Sequence, residues 1–114
     1  MITVYGIRNC TTMKKAFAWL EGRGIAYTLH DYKKSGAPAD KVKTWIKQAG
    51  WERVLNTKGK TFRNLPPSRQ QGLDAAKAAA LMLEFPSAIK RPVIESGKTL
   101  LLGFDAEKYQ SVLK

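Results

Sequence analysis

The chain has 114 residues, 44% of them hydrophobic, with a formal net charge of +11 and one cysteine. This size and composition predict one globular domain over residues 1–114. The single cysteine excludes an internal disulfide and no apolar run approaches the roughly 18 residues of a membrane span, so we expect a cytoplasmic protein without membrane attachment. The basic residues are spread along the chain. This pattern disfavours nucleic acid as a partner and favours a small anionic molecule or thiol.

The first two elements bracket the cysteine. Ile2–Tyr5 is predicted to be a short buried strand, and from Thr11 the apolar spacing changes to that of an amphipathic helix. Cys10 therefore lies where a helix begins, and the positive end of the helix dipole, with Lys14 and Lys15 nearby, favours a thiolate there. The alternative is that Cys10 is only a small buried hydrophobic residue.

A second strand is predicted at Ile25–Tyr32, which completes a β-α-β unit with parallel strands. His30, the only histidine, is then a residue on a strand face at the far side of this unit from Cys10. Nothing in the spacing brings it to the thiol as a catalytic base. One cysteine and one histidine also cannot form a zinc site of the usual kind, so we expect no metal.

The middle of the chain is predicted to be mostly helical, with one polar and basic segment that lacks periodicity. In chain order the elements are a loop at Lys33–Pro38, a helix capped by Asp40 and closed by Gly50, a short packed segment at Trp51–Leu55, the polar segment Asn56–Pro67, and a helix capped by Asp74 that runs to about Phe85. Long loops in compact domains often carry function.

The end of the chain is predicted to form a hairpin of Val93–Glu95 and Thr99–Leu102, followed by a helix capped by Asp105. Phe104 and Tyr109 have the spacing of a hydrophobic staple around that cap. The order β-α-β, helices, β-β-α is that of a thioredoxin-like fold. We therefore predict an α/β protein with a four-stranded mixed sheet and a helical insertion at about 39–86 between its two halves.

Arg91 and Pro92 come just before the third predicted strand. In a thioredoxin-like fold the proline here is cis and faces the cysteine loop, where the adjacent backbone can pair with an extended thiol substrate. A guanidinium beside the cysteine would stabilise a thiolate and bind a carboxylate or oxyanion through two hydrogen bonds. The alternatives are a proline that only begins a strand and an ordinary surface arginine.

Three blocks give the sequence a family resemblance: Tyr5–Thr12, Leu55–Arg63 and Ile89–Val93. With these blocks the chain resembles the arsenate-reductase-like (ArsC/Spx) family, and most closely its YffB branch. The resemblance covers essentially the whole chain. It implies a thioredoxin-like core with a helical insertion and thiol chemistry linked to glutathione or glutaredoxin. It places the family nucleophile on Cys10 and the arginine before the cis proline on Arg91.

The chain departs from the family pattern at specific positions. Arsenate reductases of this family hold the oxyanion with three arginines, and only Arg91 has a counterpart here. Asn56 or Lys58 stands nearest to the second arginine, and Gly103 corresponds roughly to the third. Spx-type regulators often carry a Cys-x-x-Cys switch, whereas the second position of that motif here is Met13. These departures leave arsenate reduction as a weak third activity.

The sequence therefore predicts a monothiol reductase whose Cys10 attacks a disulfide or a glutathione mixed disulfide. Glutathione is the expected co-substrate, glutathione or a glutaredoxin must complete the cycle, and we expect a monomer. The residues predicted to bind the thiolate or the substrate are Asn9, Thr11, Thr12, Lys58, Lys60, Arg63, Arg91 and Pro92. One alternative is a non-enzymatic, Spx-like regulator that binds RNA polymerase or another acidic protein. Another is a thioredoxin-fold protein without thiol activity.

Overall fold

A computed structural model describes residues 2–113 of the chain. Four strands form one mixed sheet: β1 (Ile2–Gly6), β2 (Tyr27–Asp31), β3 (Val93–Ser96) and β4 (Thr99–Leu102). Their order across the sheet is β2-β1-β3-β4. β1 runs parallel to β2 and antiparallel to β3, and β3 forms a hairpin with β4. This topology is that of a thioredoxin-like fold, as the sequence predicts.

Eight helices and helical turns accompany the sheet. They are α1 (Thr11–Gly22), α2 (Tyr32–Ser35), α3 (Ala39–Ala49), α4 (Trp51–Val54), α5 (Lys60–Arg63), α6 (Pro67–Gln70), α7 (Ala75–Glu84) and α8 (Ala106–Val112), with a 3-10 turn at Pro86–Ala88 between α7 and β3. The chain divides into two compact units. The first unit joins the residues up to Lys34 with those from Arg91 onward, and the second unit is Ser35–Lys90. The insertion predicted at about 39–86 lies inside the second unit.

The core of the first unit lies on one face of the sheet. Alternate residues of the strands, such as Val4 and Ile94, pack there with Met13 and Leu20 of α1, and all four side chains are fully buried. Burying one such side chain contributes about 1.5–3 kcal/mol. Phe104 and Tyr109 join this cluster, with ring centroids 5.3 Å apart. The predicted staple at the start of α8 is therefore present.

β2 begins at Tyr27 and not at Ile25, because Ile25 completes the cap of α1. Gly24 has a φ of 67°, and its N–H donates to the carbonyl of Glu21. The N–H of Ile25 donates to the carbonyl of Leu20 over 2.9 Å. These two bonds form a Schellman motif, which satisfies carbonyls at the end of the helix and takes Ile25 out of the strand.

Local capping differs from prediction at one helix of the second unit and agrees at another. α3 begins after Pro38, and Asp40 lies in its first turn instead of capping it. Asp74 does cap α7, since its carboxylate accepts a hydrogen bond from the N–H of Lys77 over 2.8 Å. The segment Asn56–Pro67, predicted as a loop, contains α5 and is anchored by buried Phe62. No helix among the described residues is both long and apolar enough to cross a bilayer.

Candidate functional site

Cys10 is the N-cap residue of α1, with φ −141° and ψ 136°. Its carbonyl accepts the first helical hydrogen bond, from the N–H of Lys14 over 2.9 Å, and its side chain makes no capping hydrogen bond. The amides of the first helical turn lack intrahelical partners in any α-helix, and no acidic side chain lies in this turn. The residue is partly exposed and packs against the core cluster of the first unit. Cys10 therefore lies where a helix begins, as the sequence predicts.

Gly6 lets α1 pack closely on the strand that leads to Cys10. A Cβ at this position would lie 2.5 Å from the Sδ of Met13 and 2.6 Å from its Cε. Met13 is fully buried, so little room exists for it to move. A side chain at position 6 would therefore push the first turn of α1 away from the sheet. Met13 is a core residue, as its spacing in the helix predicts.

Strand register brings Arg91 and Pro92 to the same end of the sheet as the cysteine loop. Tyr5 pairs with Val93, so Pro92, which precedes Val93, lies at the end of the sheet where β1 continues toward Cys10. The peptide bond between Arg91 and Pro92 is cis, and Pro92 is buried. Its carbonyl accepts a hydrogen bond from the N–H of Gly103 over 2.8 Å. Arg91 itself is partly exposed.

The predicted polar neighbours of the thiol surround the N-cap. Asn9 precedes Cys10 and is exposed, whereas Thr11 and Thr12 form the start of α1 and are exposed and partly exposed. Their backbone N–H groups belong to the unpaired first turn. The structure therefore brings Asn9, Thr11 and Thr12 together around Cys10 by chain continuity.

The predicted basic residues of the insertion lie in the second unit. Lys58 stands in the turn before α5, and Lys60 and Arg63 begin and end this helical turn; all three are exposed. Two hydrogen bonds tie the neighbouring backbone together within this unit: the N–H of Asn56 donates to Ala88 over 2.7 Å, and that of Lys90 donates to Val54 over 2.8 Å. The three cations thus share one exposed and well-anchored segment.

Tyr32 is a residue of this end of the sheet that the sequence does not single out. It follows Asp31, which pairs with Gly6, and it is 4% exposed. Its hydroxyl has no hydrogen-bond partner among the described residues. Burial raises the pKa of Tyr32, Tyr5 and Glu95 raise it further, and the charge of Arg91 lowers it. Neither periodicity nor a motif could reveal this orphan hydroxyl, because it depends on the tertiary surroundings.

His30 lies near the carboxyl end of β2, opposite Tyr5. Since side chains alternate along a strand, Tyr5 and His30 share the face of the sheet opposite to that of Val4, which packs with α1. The His30 ring lies 5.3 Å from that of Tyr5 and 5.9 Å from that of Tyr32. Burial raises the pKa of Tyr5, and the hydrogen bond that its hydroxyl donates to Glu95 over 2.7 Å raises the pKa further.

One surface groove is lined by residues of the second unit, and the described residues form no cluster that could hold a metal ion. A groove of about 530 Å³ is lined by residues of α3 and α7, with an alanine floor and two lysines, and contains none of the predicted site residues. Among residues 2–113, no group of three or more His, Cys, Asp or Glu side chains is placed to hold a metal ion.

Comparison with known proteins agrees with this architecture. The model of the ArsC family matches residues 5–112. The chain belongs to the ArsC family. The Spx 2 global transcriptional regulator of Bacillus anthracis is 28% identical over 115 residues, which cover 99% of this chain and 87% of that protein. The relatives of this chain therefore include a protein that is named as a regulator.

Two solved structures are similar to the chain over nearly its whole length. A YffB protein is 45% identical, with a TM-score of 0.97 and coverage of 100% of both chains. A protein of Brucella melitensis described as related to arsenate reductase is 49% identical, with a TM-score of 0.78 and coverage of 99% of this chain and 94% of that one. The predicted family and its YffB branch are thus confirmed.

Proposed function

We propose that this ArsC-family chain is a cytoplasmic monothiol reductase that uses glutathione, or a glutaredoxin, to reduce a disulfide or a glutathione mixed disulfide. The observation that carries the proposal is the placement of Cys10. It is partly exposed at the N-cap of α1, its side chain makes no capping hydrogen bond, and the sheet register brings Arg91 to the same edge. These are the surroundings in which thiolates act as nucleophiles.

The reaction consists of two thiol–disulfide exchanges. The Cys10 thiolate attacks a sulfur of the mixed disulfide, an S–S bond forms between Cys10 and the glutathionyl group, and the substrate leaves as a thiolate. A second glutathione thiolate then attacks this intermediate, so that Cys10 is released and glutathione disulfide forms. The sulfur of the incoming glutathione is oxidised from thiol to disulfide, the substrate sulfur is reduced from disulfide to thiol, and the glutathionyl sulfur of the mixed disulfide stays at the disulfide level throughout. The chain has one cysteine, so no second thiol of its own can complete the cycle.

The other residues at this edge bind and position the reactants. The Cys10 side chain makes no capping hydrogen bond in the structure, and on ionisation its sulfur would accept hydrogen bonds from the backbone N–H groups of Thr11 and Thr12 and from the side chain of Asn9. Arg91 binds an anionic group of the incoming glutathione, and Pro92 leaves the backbone before β3 available to an extended substrate. Lys58, Lys60 and Arg63 of the second unit add positive charge to the chain, which favours encounters with an anionic co-substrate. The net charge of +11 supports an anionic co-substrate.

The test is the formation of a covalent adduct at Cys10. After incubation with glutathione disulfide, intact mass spectrometry of the full chain should show one added glutathionyl group, and reduced glutathione should remove it. The Cys10→Ser variant should gain none. A wild-type chain that stays unmodified under conditions in which free cysteine reacts would contradict the proposal. Release of arsenite from arsenate with glutathione, measured alongside, tests the weak third activity.

A regulator is the second candidate, and the similarity to Spx 2 of Bacillus anthracis over 99% of the chain favours it. In this case the chain binds RNA polymerase or another acidic protein, and Cys10 is a modification site or has no role. Purification from a lysate with the wild-type chain and with Cys10→Ser separates the candidates. A stoichiometric partner retained by both chains, together with the absence of a glutathionyl adduct, would favour the regulator.

A further inference from the structure

The hydrogen bonding between β3 and β4 is incomplete at Pro92. Val93 pairs with Leu102, and beyond this pair the N–H of Gly103 donates to the carbonyl of Pro92 over 2.8 Å. In an antiparallel pair of this kind the two residues normally exchange two N–H···O bonds. Proline has no N–H, so the return bond to the carbonyl of Gly103 cannot form. The carbonyl of Gly103 therefore needs another donor.

Tyr109 supplies this donor from α8. Its hydroxyl donates to the carbonyl of Gly103 over 2.6 Å. Burial raises the pKa of Tyr109, and the charge of Asp105 raises it further, so the hydroxyl keeps its proton and stays a donor. The phenol thus takes the place of the amide that Pro92 lacks, and both backbone polar groups of Gly103 have partners.

The ring of Tyr109 is held by packing that does not involve the hydroxyl. The residue is 1% exposed, and the rings of Phe104 and Trp19 meet it edge to face, at centroid distances of 5.3 Å and 5.4 Å. Trp19 belongs to α1, the helix that begins next to Cys10. Removing the hydroxyl alone should therefore remove the hydrogen bond to Gly103 and leave the ring in place.

Gly103 depends on such bonds for a fixed conformation. Its φ is 80°, in the left-handed region that glycine enters without the steric cost of a Cβ. Because glycine is equally free to leave this region, its hydrogen bonds to Pro92 and Tyr109 select the conformation. On Pro92 the ring fixes φ, and the bond to its carbonyl restricts ψ. The hydroxyl of Tyr109 therefore acts on the backbone that precedes β3.

We infer that Tyr109 is a positioning residue of the candidate site, which holds the Arg91–Pro92 segment through Gly103 so that its backbone can pair with an extended substrate. This inference rests on the proposed function, which supplies the substrate, a mixed disulfide of glutathione and a peptide. Tyr109 is buried, so it acts on the reactants only through this backbone. The thiol of Cys10 lies at the start of α1, so its own reactivity should not depend on the bond.

The test compares the full-length wild-type chain with Tyr109→Phe in the reduction of a glutathionylated peptide by glutathione. Loss of the hydroxyl should raise the KM for the peptide about fivefold, as for one hydrogen bond, and leave kcat within about twofold. Alkylation of Cys10 by iodoacetamide, which needs no backbone pairing, should keep its rate and its pH profile. A merely structural role would not separate these two reactions.

Tyr27→Phe is the matched control in the same unit. It removes the same atom, but the Tyr27 hydroxyl donates to Glu21 over 2.7 Å and not to Gly103. Its KM should stay within about twofold of the wild-type value. Hydrogen exchange adds a local readout, because the N–H of Gly103 should exchange about tenfold faster in Tyr109→Phe than in Tyr27→Phe.

Stability and wild-type controls separate the possible failures. Tyr109→Phe should unfold about 4 °C below the wild-type chain, so the two are compared well below that midpoint. A KM that matches the wild-type value, or a fall in alkylation equal to the fall in kcat/KM, overturns the inference. Equal exchange of the Gly103 N–H in the two tyrosine variants also overturns it. Failure of the proposed function has a different signature, because the wild-type chain would then form no glutathionyl adduct while the N–H of Gly103 still distinguished the variants.

Discussion

The two units of this chain place their predicted functional residues by different means. In the first unit, Cys10 and Arg91 are far apart in sequence, and the pairing of β1 with β3 brings their segments to one end of the sheet. In the second unit, Lys58, Lys60 and Arg63 lie on one short stretch around α5 and are neighbours through chain continuity. The comparison teaches that the grouping of Cys10 with Arg91 depends on long-range strand pairing, whereas the grouping of the basic residues around α5 depends on local structure.

The two units also differ in where the tyrosines lie. All four tyrosines of the chain belong to the first unit: Tyr5, Tyr27, Tyr32 and Tyr109. Among the described residues, the second unit consists of helices and turns, joined at one place by the bridge between Leu55 and Ile89. Ionisation of tyrosine should therefore act on the first unit and spare the second.

Alkaline pH should have the largest effect. The pKa of every tyrosine is raised in the folded chain, to about 12 for Tyr27, where burial contributes most and Glu21 adds to it. The folded state thus holds the phenolic protons more tightly than the unfolded state, in which the pKa is about 10. Their contribution to stability is complete below pH 10 and is lost as the pH rises through 10 to 12 and above.

Tyrosinate absorbance and the indole signals in NMR spectra would check this. Trp19 reports on the first unit, and Trp45 and Trp51 report on the second. We expect the native signal of Trp19 to disappear at a lower pH than that of Trp45, which is fully buried. Simultaneous loss of all three signals would show that the two units unfold together, and the contrast in their stability would not hold.

Arg91→Ala should have the next largest effect. Loss of a group that binds a charged reactant beside the reacting atom commonly lowers a rate about a hundredfold. We expect this loss in the rate at which Cys10 reacts with glutathione disulfide, measured by mass spectrometry of samples quenched at successive times. Arg91→Lys should recover part of the rate, because the charge returns without the paired hydrogen bonds.

Lys60→Ala is the control from the second unit. Its side chain is exposed, and its attraction is screened by salt, so the rate should fall by no more than about threefold at physiological ionic strength. Equal losses for Arg91→Ala and Lys60→Ala would mean that long-range attraction alone drives the reaction. The distinction between the two units would then fail.

Gly6→Ala tests the close packing in front of the cysteine loop. The added methyl group would overlap Met13, with the Cβ 2.5 Å from Sδ, and should lower the free energy of unfolding by about 1–3 kcal/mol. Urea denaturation would measure it. In a Met13→Ala background the same change should cost much less, because the overlapping atoms are gone. A cost that is independent of Met13 would place its cause in the backbone.

The two capping aspartates should give the smallest effects. Asp105 in the first unit accepts from the N–H of Lys108 over 3.2 Å, and Asp74 in the second accepts from that of Lys77 over 2.8 Å. Each change to alanine should cost about 1 kcal/mol of unfolding free energy, and asparagine should retain most of it. Markedly unequal costs would show that one unit depends more strongly on its helix ends.

Much of the fold follows from local signals. The strand-to-helix transition around Cys10, the caps at Asp74 and Asp105, and the hairpin of β3 and β4 are each encoded within a few residues. Errors arose where two local signals compete. Ile25 has the composition of a strand residue, but the helix end at Gly24 uses its N–H. Asp40 does not cap α3, because the helix begins at Ala39, one residue before Asp40.

The candidate site likewise contains some residues that are neighbours in sequence and others that are distant in the chain. Cys10 and its neighbours Asn9, Thr11 and Thr12 are contiguous, so the sequence predicts their grouping. Relating Arg91 to Cys10 required the thioredoxin-like plan, in which the proline after Arg91 faces the cysteine loop, because no local pattern links the two residues. No sequence pattern singles out Tyr32, because whether its hydroxyl finds a hydrogen-bond partner depends on the packed structure.

By itself the sequence determined a thioredoxin-like fold with one cysteine at a helix N-terminus and no second thiol to pair with it. These properties depend on residue identity and near-neighbour periodicity. Only the tertiary structure decided that Gly6 must lack a side chain, that His30 contacts Tyr5 and Tyr32, and that the buried Tyr32 hydroxyl has no partner among the described residues. Strand register and close packing set these features, and both arise from contacts between residues distant in the chain.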